Sequence, residues 1–378
     1  MSDVYQNSLE LHRKNGGKLA IKSKVKVKNK EDLSLAYTPG VAEVCREIAR
    51  DQTLAYSLTL KGNTIAVISD GSAILGLGNL GAAATIPVME GKCILFKEFA
   101  DVDAFPICLN TQDPEEIIKT IKYLAPVFGG INLEDISAPR CFEIEERLKS
   151  ELDIPVMHDD QHGTATVVLA GLINSLKVRG SKKESVNIVI SGAGAAGTAI
   201  TKLLIKYGFI NIVVCDSVGV IYKGRTDLDQ EKIKLAALTN PLNIKGNLMT
   251  AIKNADIFIG VSKPGILSSE MVKSMAKKPI IFALANPVSE IMPDVAKEAG
   301  AYIIATGRSD YPNQINNVLA FPGIFRGALD NKVKQITDEM FIKAAEVLAG
   351  LVKTPSVDMV LPNPFNKKIA KAIAGAIC

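Results

Sequence analysis

Between about residues 60 and 310, short apolar runs alternate with stretches whose apolar residues recur at helical spacing, the sequence form of a mostly parallel α/β sheet. In the first half, the runs at 64–69 (TIAVIS), 93–96, 105–109, 131–133 and 154–157 predict strands, while 114–124 and 140–152 predict helices. Asp113 is placed to cap the first of these helices, with Pro114 in its first turn. A helical pattern over 164–177 leads into the polar stretch 179–185, where the main change of series falls. Apolar runs follow at 186–191, 210–215, 257–261, 280–284 and 302–305. From about Asn316 the chain reads as helices, 338–352 and then 367–377, expected to fold back onto the first domain. The fold class is α/β, with one domain over 1–160 and a second over 161–378 that carries the helical tail.

The 378 residues are 47% hydrophobic, ample for a buried core, and the length fits two domains. Net charge is only +4, and residues 1–30 hold eight basic and two acidic side chains, so the remainder sums to −2. The body is no polyanion binder, and with no Trp and 5% aromatic residues it has little to stack on single-stranded nucleic acid. No nucleic-acid partner is expected. Lys22, Lys24, Lys26, Lys28 and Lys30 alternate with Ser, Val and Asn, as in an extended segment with lysines on the wet face of a sheet edge. Six cysteines lie far apart with no C-x-x-C, which reads as free thiols in a reducing compartment. The N-terminus lacks the apolar core of a signal peptide. The longest uncharged stretch, 72–89, is broken by glycines and Pro87, so no membrane span is expected. These features point to a soluble cytoplasmic protein.

G-x-G-x-x-G occurs twice, from Gly76 to Gly81 and from Gly192 to Gly197. The second follows directly on the apolar run VNIVIS and opens a helical run over 198–207; the next strand, INIVVC, leads to Asp216. That is the context of a Rossmann-like, doubly wound dinucleotide-binding domain. Gly192 and Gly194 permit the tight turn and the close approach of a pyrophosphate, and Gly197 lets helix and strand pack. Ala195 and Ala196 stand in the same loop, at a helix N-terminus whose amides and dipole favour phosphate. Asp216 is placed to accept hydrogen bonds from the ribose hydroxyls. A carboxylate there repels a 2′-phosphate and favours NAD, whereas Lys223 and Arg225 close behind it suit NADP; the sequence is compatible with either. The first match stands six residues beyond its strand, and Pro87 is expected to interrupt any helix within two turns. It reads as a glycine-rich loop lining something else.

His158-Asp159-Asp160-Gln161-His162 invites comparison with the zinc motif H-E-x-x-H, but the third histidine, His12, is remote and the glutamate needed as base is absent. A hard-cation site fits better. Glu134 and Asp135 follow one predicted strand and Asp159 and Asp160 follow another, so their carboxylates can converge at one sheet edge with the oxygen ligands that suit Mg²⁺ or Mn²⁺. Neighbours in an extended chain face opposite ways, so one of Asp159 and Asp160 is expected to meet the cation.

The runs LAYTPGVA (35–42), SDGS (69–72), GLGNLG (76–81), EGK (90–92), HDDQHGTA (158–165) and ANP (285–287), taken in this order, resemble malic enzymes of the short bacterial type. The resemblance covers about residue 15 to the C-terminus. It implies oxidation of L-malate with NAD(P)⁺ and a divalent cation, then decarboxylation of the bound oxaloacetate to pyruvate, by a homodimer whose active sites are either private or shared. Position by position, it implies Tyr37 as general acid, Lys92 as general base and Asp159 as the neighbour supporting Lys92. Glu134, Asp135 and Asp160 match the metal ligands. Asn286, Asn316 and Asn317 match positions that hold substrate carboxylate or cofactor. The larger eukaryotic members carry an arginine where this chain has Ala73, which leaves the C4-carboxylate contact open.

The chemistry asks for such groups. Hydride loss from C2 requires a base within hydrogen-bond reach of the hydroxyl proton, and a lysine, with an ordinary pKa near 10.4, is tuned by burial, cation and Asp159 in opposing directions. Charge left on the C2 oxygen as CO₂ departs calls for a Lewis acid, and C3 then needs a proton, which a phenol near Lys92 can give. Two rival readings are a malolactic enzyme, which retains NAD and releases lactate, and a non-catalytic dinucleotide-binding sensor. The intact acid, base and ligand positions disfavour the sensor.

Overall fold

The computed structural model describes residues 2–74, 76–308 and 310–378. Among them, nine strands form two wholly parallel sheets. The first contains β1 (Thr64–Ser69), β2 (Asp103–Cys108), β3 (Gly130–Leu133) and β4 (Val156–His158), in the order β2-β1-β3-β4. The second contains β5 (Asn187–Ser191), β6 (Asn211–Cys215), β7 (Ile257–Gly260), β8 (Ile280–Ala283) and β9 (Ile303–Thr306), in the order β6-β5-β7-β8-β9. Strands such as TIAVIS are buried along their whole length because helices cover both faces of a parallel sheet. Each sheet starts in its middle, steps to one side and then crosses back, reversing direction between β1 and β3 and again between β5 and β7. Crevices open beyond the carboxyl ends of strands at such reversals. Both halves of the site lie there.

The two sheets are joined through the Asp159–Arg179 helix, which starts at the end of β4 and ends at Gly180. Its 21 residues span about 30 Å, and from Ala165 to Leu176 it is buried on almost every side, as a helix between layers must be. One continuous core runs from Ile65 and Val67 of the first sheet through Val168 and Leu172 to Ile188 and Ile257 of the second. Asp113 accepts the N–H of Glu116 as the cap of the Pro114–Leu124 helix.

Three expectations are corrected. The run 93–96 is no strand; it lies in the Ala82–Ala100 helix, where Met89, Cys93, Phe96 and Ala100 form one buried face. A short, fully buried apolar run has no period that separates strand from helix. Pro87 does not break that helix. Its ring removes one backbone donor, and the burial of the following turns outweighs the loss. The glycine loop 76–81 therefore opens a helix after all, with Gly81 at its N-cap. Finally, the lysine-rich segment forms no strand and has no dry face, since Val25 and Val27 are exposed alongside the lysines.

The tail folds back as expected. It adds the Phe321–Asp330 helix, whose Phe321 and Phe325 rings meet Phe96 edge-on at 4.6 and 5.5 Å. The Asp338–Gly350 helix packs on the central helix through the shared core.

Candidate active site

Lys92 lies in the middle of the Ala82–Ala100 helix with 8% of its surface exposed. Its Nζ donates to Asp159 Oδ2 at 2.6 Å and stands 2.9 Å from Glu134 Oε1. The ring of Phe321, from the tail, lies 4.3 Å beneath the ammonium. Burial opposes the charge on Lys92, but Asp159 and Glu134 outweigh it, and the amine is held above its ordinary pKa. Asp159 is fully buried, and its Oδ1 has no hydrogen-bond partner among the described residues. Burial pushes Asp159 up to about 6 despite the pull of Lys92.

Glu134 and Asp135, just beyond β3, and Asp160, just beyond β4, bring carboxylate oxygens within 4.8 Å of one another. Asp135 N–H donates to Asp160 Oδ2 at 2.9 Å, and Asn132 Nδ2 donates to Glu134 Oε2 at 2.9 Å. Asp159 and Asp160 do diverge, toward Lys92 and toward the cluster, but not because the chain is extended. They are the first two residues of a helix, where successive side chains point about 100° apart. Burial and mutual repulsion raise the Asp160 carboxyl, and burial raises Glu134 against the pull of Lys92. Three carboxylates so crowded, two of them buried, are a donor set for a hard divalent cation. His158 is not one of the clustered ligands; it is fully buried, and burial pushes its pKa down to about 4.

Gly163 joins a further residue to this group. A Cβ there would lie 1.8 Å from Asp159 Oδ1 and 3.3 Å from Asn317 Cβ, so the glycine lets Asn317 close over the acid. Asn316 caps its own short helix by accepting the N–H of Val318. Asn286 lies on an exposed turn beyond β8, its carbonyl 2.4 Å from the place a Cβ on Gly76 would occupy, so the first glycine loop does line something: the Asn286 turn. Tyr37 stands apart. It ends the Lys30–Ala36 helix and is 67% exposed, and no hydrogen bond among the described residues joins its phenol to Lys92.

A cleft of about 580 Å³ opens beyond β5 and β6, with Gly192, Gly194 and Asp216 on one side and Pro139 and Phe142 of the first half on the other. A Cβ on Gly197 would lie 1.8 Å from Gly192 O, so helix and loop touch only because Gly197 is bare. Gly194, the N-cap of the Ala195–Tyr207 helix, faces open space. The first-turn amides of Ala195, Ala196 and Gly197 are those a helix leaves unpaired, and such a helix N-terminus favours an anion. Asp216 accepts the N–H of Val218 at 3.0 Å and of Gly219 at 3.1 Å, and Arg225 grips both its oxygens at 2.9 Å. Arg225 is thus occupied, Lys223 is exposed outside the cleft lining, and the cation that lines it near Asp216 is Lys232, at 3.5 Å.

Sequence reasoning missed Lys232, Phe321 and Glu145. Only Glu145 carried a signal, an acid at the i+4 position of an otherwise apolar helix face shared with Cys141, Ile144 and Leu148.

This arrangement, a glycine-lined nucleotide cleft beside a buried lysine and an acidic cluster, defines a two-sheet, dinucleotide-binding α/β protein. Residues 16–149 match the family described as malic enzyme, N-terminal domain, and residues 161–378 match malic enzyme, NAD binding domain. The chain is 58% identical over 375 residues to a bifunctional malic/malolactic enzyme of Bacillus subtilis, covering 98% of this chain and 92% of that one. It is 57% identical to an NAD-dependent malic enzyme of Geobacillus stearothermophilus, over 96% of this chain and 76% of that one. The crystal structure of an NAD-dependent malic enzyme from Thermotoga maritima superposes with a TM-score of 0.95 at 49% identity, over 98% of each chain. The chain belongs to the malic enzyme family.

Proposed function

We propose that the protein oxidises L-malate at C2 with NAD⁺ or NADP⁺, using Mg²⁺ or Mn²⁺, and decarboxylates the product to pyruvate and CO₂. The observation that carries this is the contact of Lys92 with both Asp159 and Glu134, which ties a buried base to the acidic cluster. The N-terminal domain, 1–160, holds acid, base and cation ligands; the second, 161–378, holds the nucleotide and sends its tail back.

Lys92 takes the C2 hydroxyl proton, Asp159 keeps its amine oriented, and the phenol of Tyr37 protonates C3 after CO₂ leaves. Asn286, Asn316 and Asn317 orient the substrate carboxylates without adding charge. Glu134, Asp135 and Asp160 would hold the cation, which when bound supplies a Lewis acid for the C2 oxygen and a positive charge that lowers the pKa of Lys92. Gly192, Gly194, Ala195, Ala196 and Gly197 would receive the pyrophosphate of the hydride acceptor, with Asp216 at the ribose.

The working form is a homodimer. The helices Lys30–Ala36, Val41–Arg50 and Ala55–Leu58 bury no residue, and Ile21, Val25, Leu35 and Tyr37 are exposed, the mark of an arm made to cover a second copy. Tyr37 of one copy enters the site of the other. All six cysteines are free, which supports a cytoplasmic location, and no helix among the described residues is long and apolar enough to cross a membrane. Because one close relative is a bifunctional malic/malolactic enzyme, lactate is the second product to look for. Incubation with malate, Mn²⁺ and each nucleotide, with pyruvate and lactate both measured, tests the assignment; net reduced nucleotide together with pyruvate supports it, and lactate without reduced nucleotide overturns it.

A further inference from the structure

Glu145 is a buried carboxylate that none of these steps uses. It is 5% exposed on the inner face of the Arg140–Glu151 helix, and both its oxygens are engaged. Oε1 accepts the backbone N–H of His158 at 2.9 Å and pairs with Lys149 Nζ at 2.8 Å. Oε2 accepts from Gln161 Nε2 at 3.1 Å and lies 3.0 Å from His162 Nε2. One side chain thus fastens three of the five residues in the turn 158–162: the residue before Asp159 and the two after Asp160. The two acids between these anchors point away from Glu145, Asp159 to Lys92 at 2.6 Å and Asp160 to the cluster with Glu134 and Asp135. The ring of His162 is also clamped from the tail, stacked on Phe341 at 4.7 Å and 6°. An acid serving stability alone would need its ion pair with Lys149; the bonds to His158 and Gln161 act on the turn itself.

We propose that Glu145 is a positioning residue for the cation site: by fastening His158, Gln161 and His162 it aims Asp160 at the cation and Asp159 at Lys92. This rests on the reading of Glu134, Asp135 and Asp160 as cation ligands. Groups that orient metal ligands from behind typically change metal affinity 10- to 100-fold when removed.

The test is Mn²⁺ itself, titrated into the full chain without substrate and followed by the spin-resonance signal of the free ion. Glu145→Ala is expected to weaken Mn²⁺ binding roughly 10-fold or more, with affinity for reduced nucleotide, read by its fluorescence, unchanged. Glu145→Gln keeps the shape and an acceptor for His158 N–H but sets an amide against the Gln161 and His162 donors, so a smaller loss is expected. If Glu145→Ala does not fold, Glu145→Gln decides alone. Unchanged Mn²⁺ affinity in the folded variant overturns the proposal, as does an equal loss of Mn²⁺ and nucleotide affinity, which marks general loosening. Asp160→Asn separates the two levels. Mn²⁺ binding as tight as in the unaltered chain would overturn the ligand reading and this inference with it; Mn²⁺ binding lost in Asp160→Asn but normal in Glu145→Ala would overturn the role of Glu145 alone.

Discussion

Lys92 Nζ stands 2.6 Å from Asp159 Oδ2 and 2.9 Å from Glu134 Oε1, so a single ammonium is shared between its supporting acid and a cation ligand. Burial works against that charge and the two carboxylates sustain it, holding the amine above its ordinary pKa. Removing one carboxylate must make the proton easier to lose. In Asp159→Asn the acid limb of the kcat–pH profile is therefore expected to move to lower pH, while kcat itself drops about 100-fold because the amine loses its orientation. A limb that stays in place or moves upward contradicts the role given to Asp159.

Loss of the base or the acid is more severe. Lys92→Ala and Tyr37→Phe are each expected to lose roughly 10²- to 10⁴-fold in kcat. Their mixture separates shared from private sites. If Tyr37 crosses between copies, a dimer with one subunit of each kind has one intact site, and random mixing restores roughly a quarter of the unaltered activity. If each copy uses its own Tyr37, the mixture stays inactive, which subunit exchange followed by rate measurement reads directly.

The glycines of the nucleotide cleft separate in the same way. Gly197→Ala drives a methyl to 1.8 Å from Gly192 O and is expected to lower the melting temperature sharply. Gly194→Ala meets nothing in the protein, so stability should hold while affinity for NAD(P)H falls. Calorimetry alongside fluorescence titration distinguishes them; a Gly194→Ala variant binding nucleotide normally would remove the phosphate from this loop.

Glu145 makes acid stability testable. Burial alone would raise its carboxyl, but His162 and Lys149 outweigh burial and hold it well below its ordinary 4.5. A group depressed in the folded state contributes stability above its unfolded pKa and loses it as pH falls below that value. Glu145→Gln is therefore expected to be about 1–3 kcal/mol less stable at neutral pH, yet to lose less further stability below about pH 4.5 than the unaltered chain. Parallel acid-unfolding curves for the two would contradict the pairing.

Most of the frame was legible because parallel strands buried on both faces write themselves as short apolar runs: β1 matches its run, and the other eight strands differ from theirs by one or two residues at either end. The failure at 93–96 lay where burial is complete on a helix as well, and Pro87 reinforced it by suggesting a break. Within the site, acids placed at strand ends pointed to Glu134 and Asp135 and to one of Asp159 and Asp160, and the choice of Asp160 came from the family resemblance. Phe321 beneath Lys92 was not, since its approach depends on how a tail 229 residues further on folds back. Tyr37 was read from its motif alone, and within one chain it stays exposed.

A cation held by three acids beside Lys92 is tested by product stoichiometry with Mn²⁺ and L-malate. One pyruvate for each nucleotide reduced is predicted, abolished by chelation and by Asp160→Asn. Undiminished turnover after either treatment would contradict it.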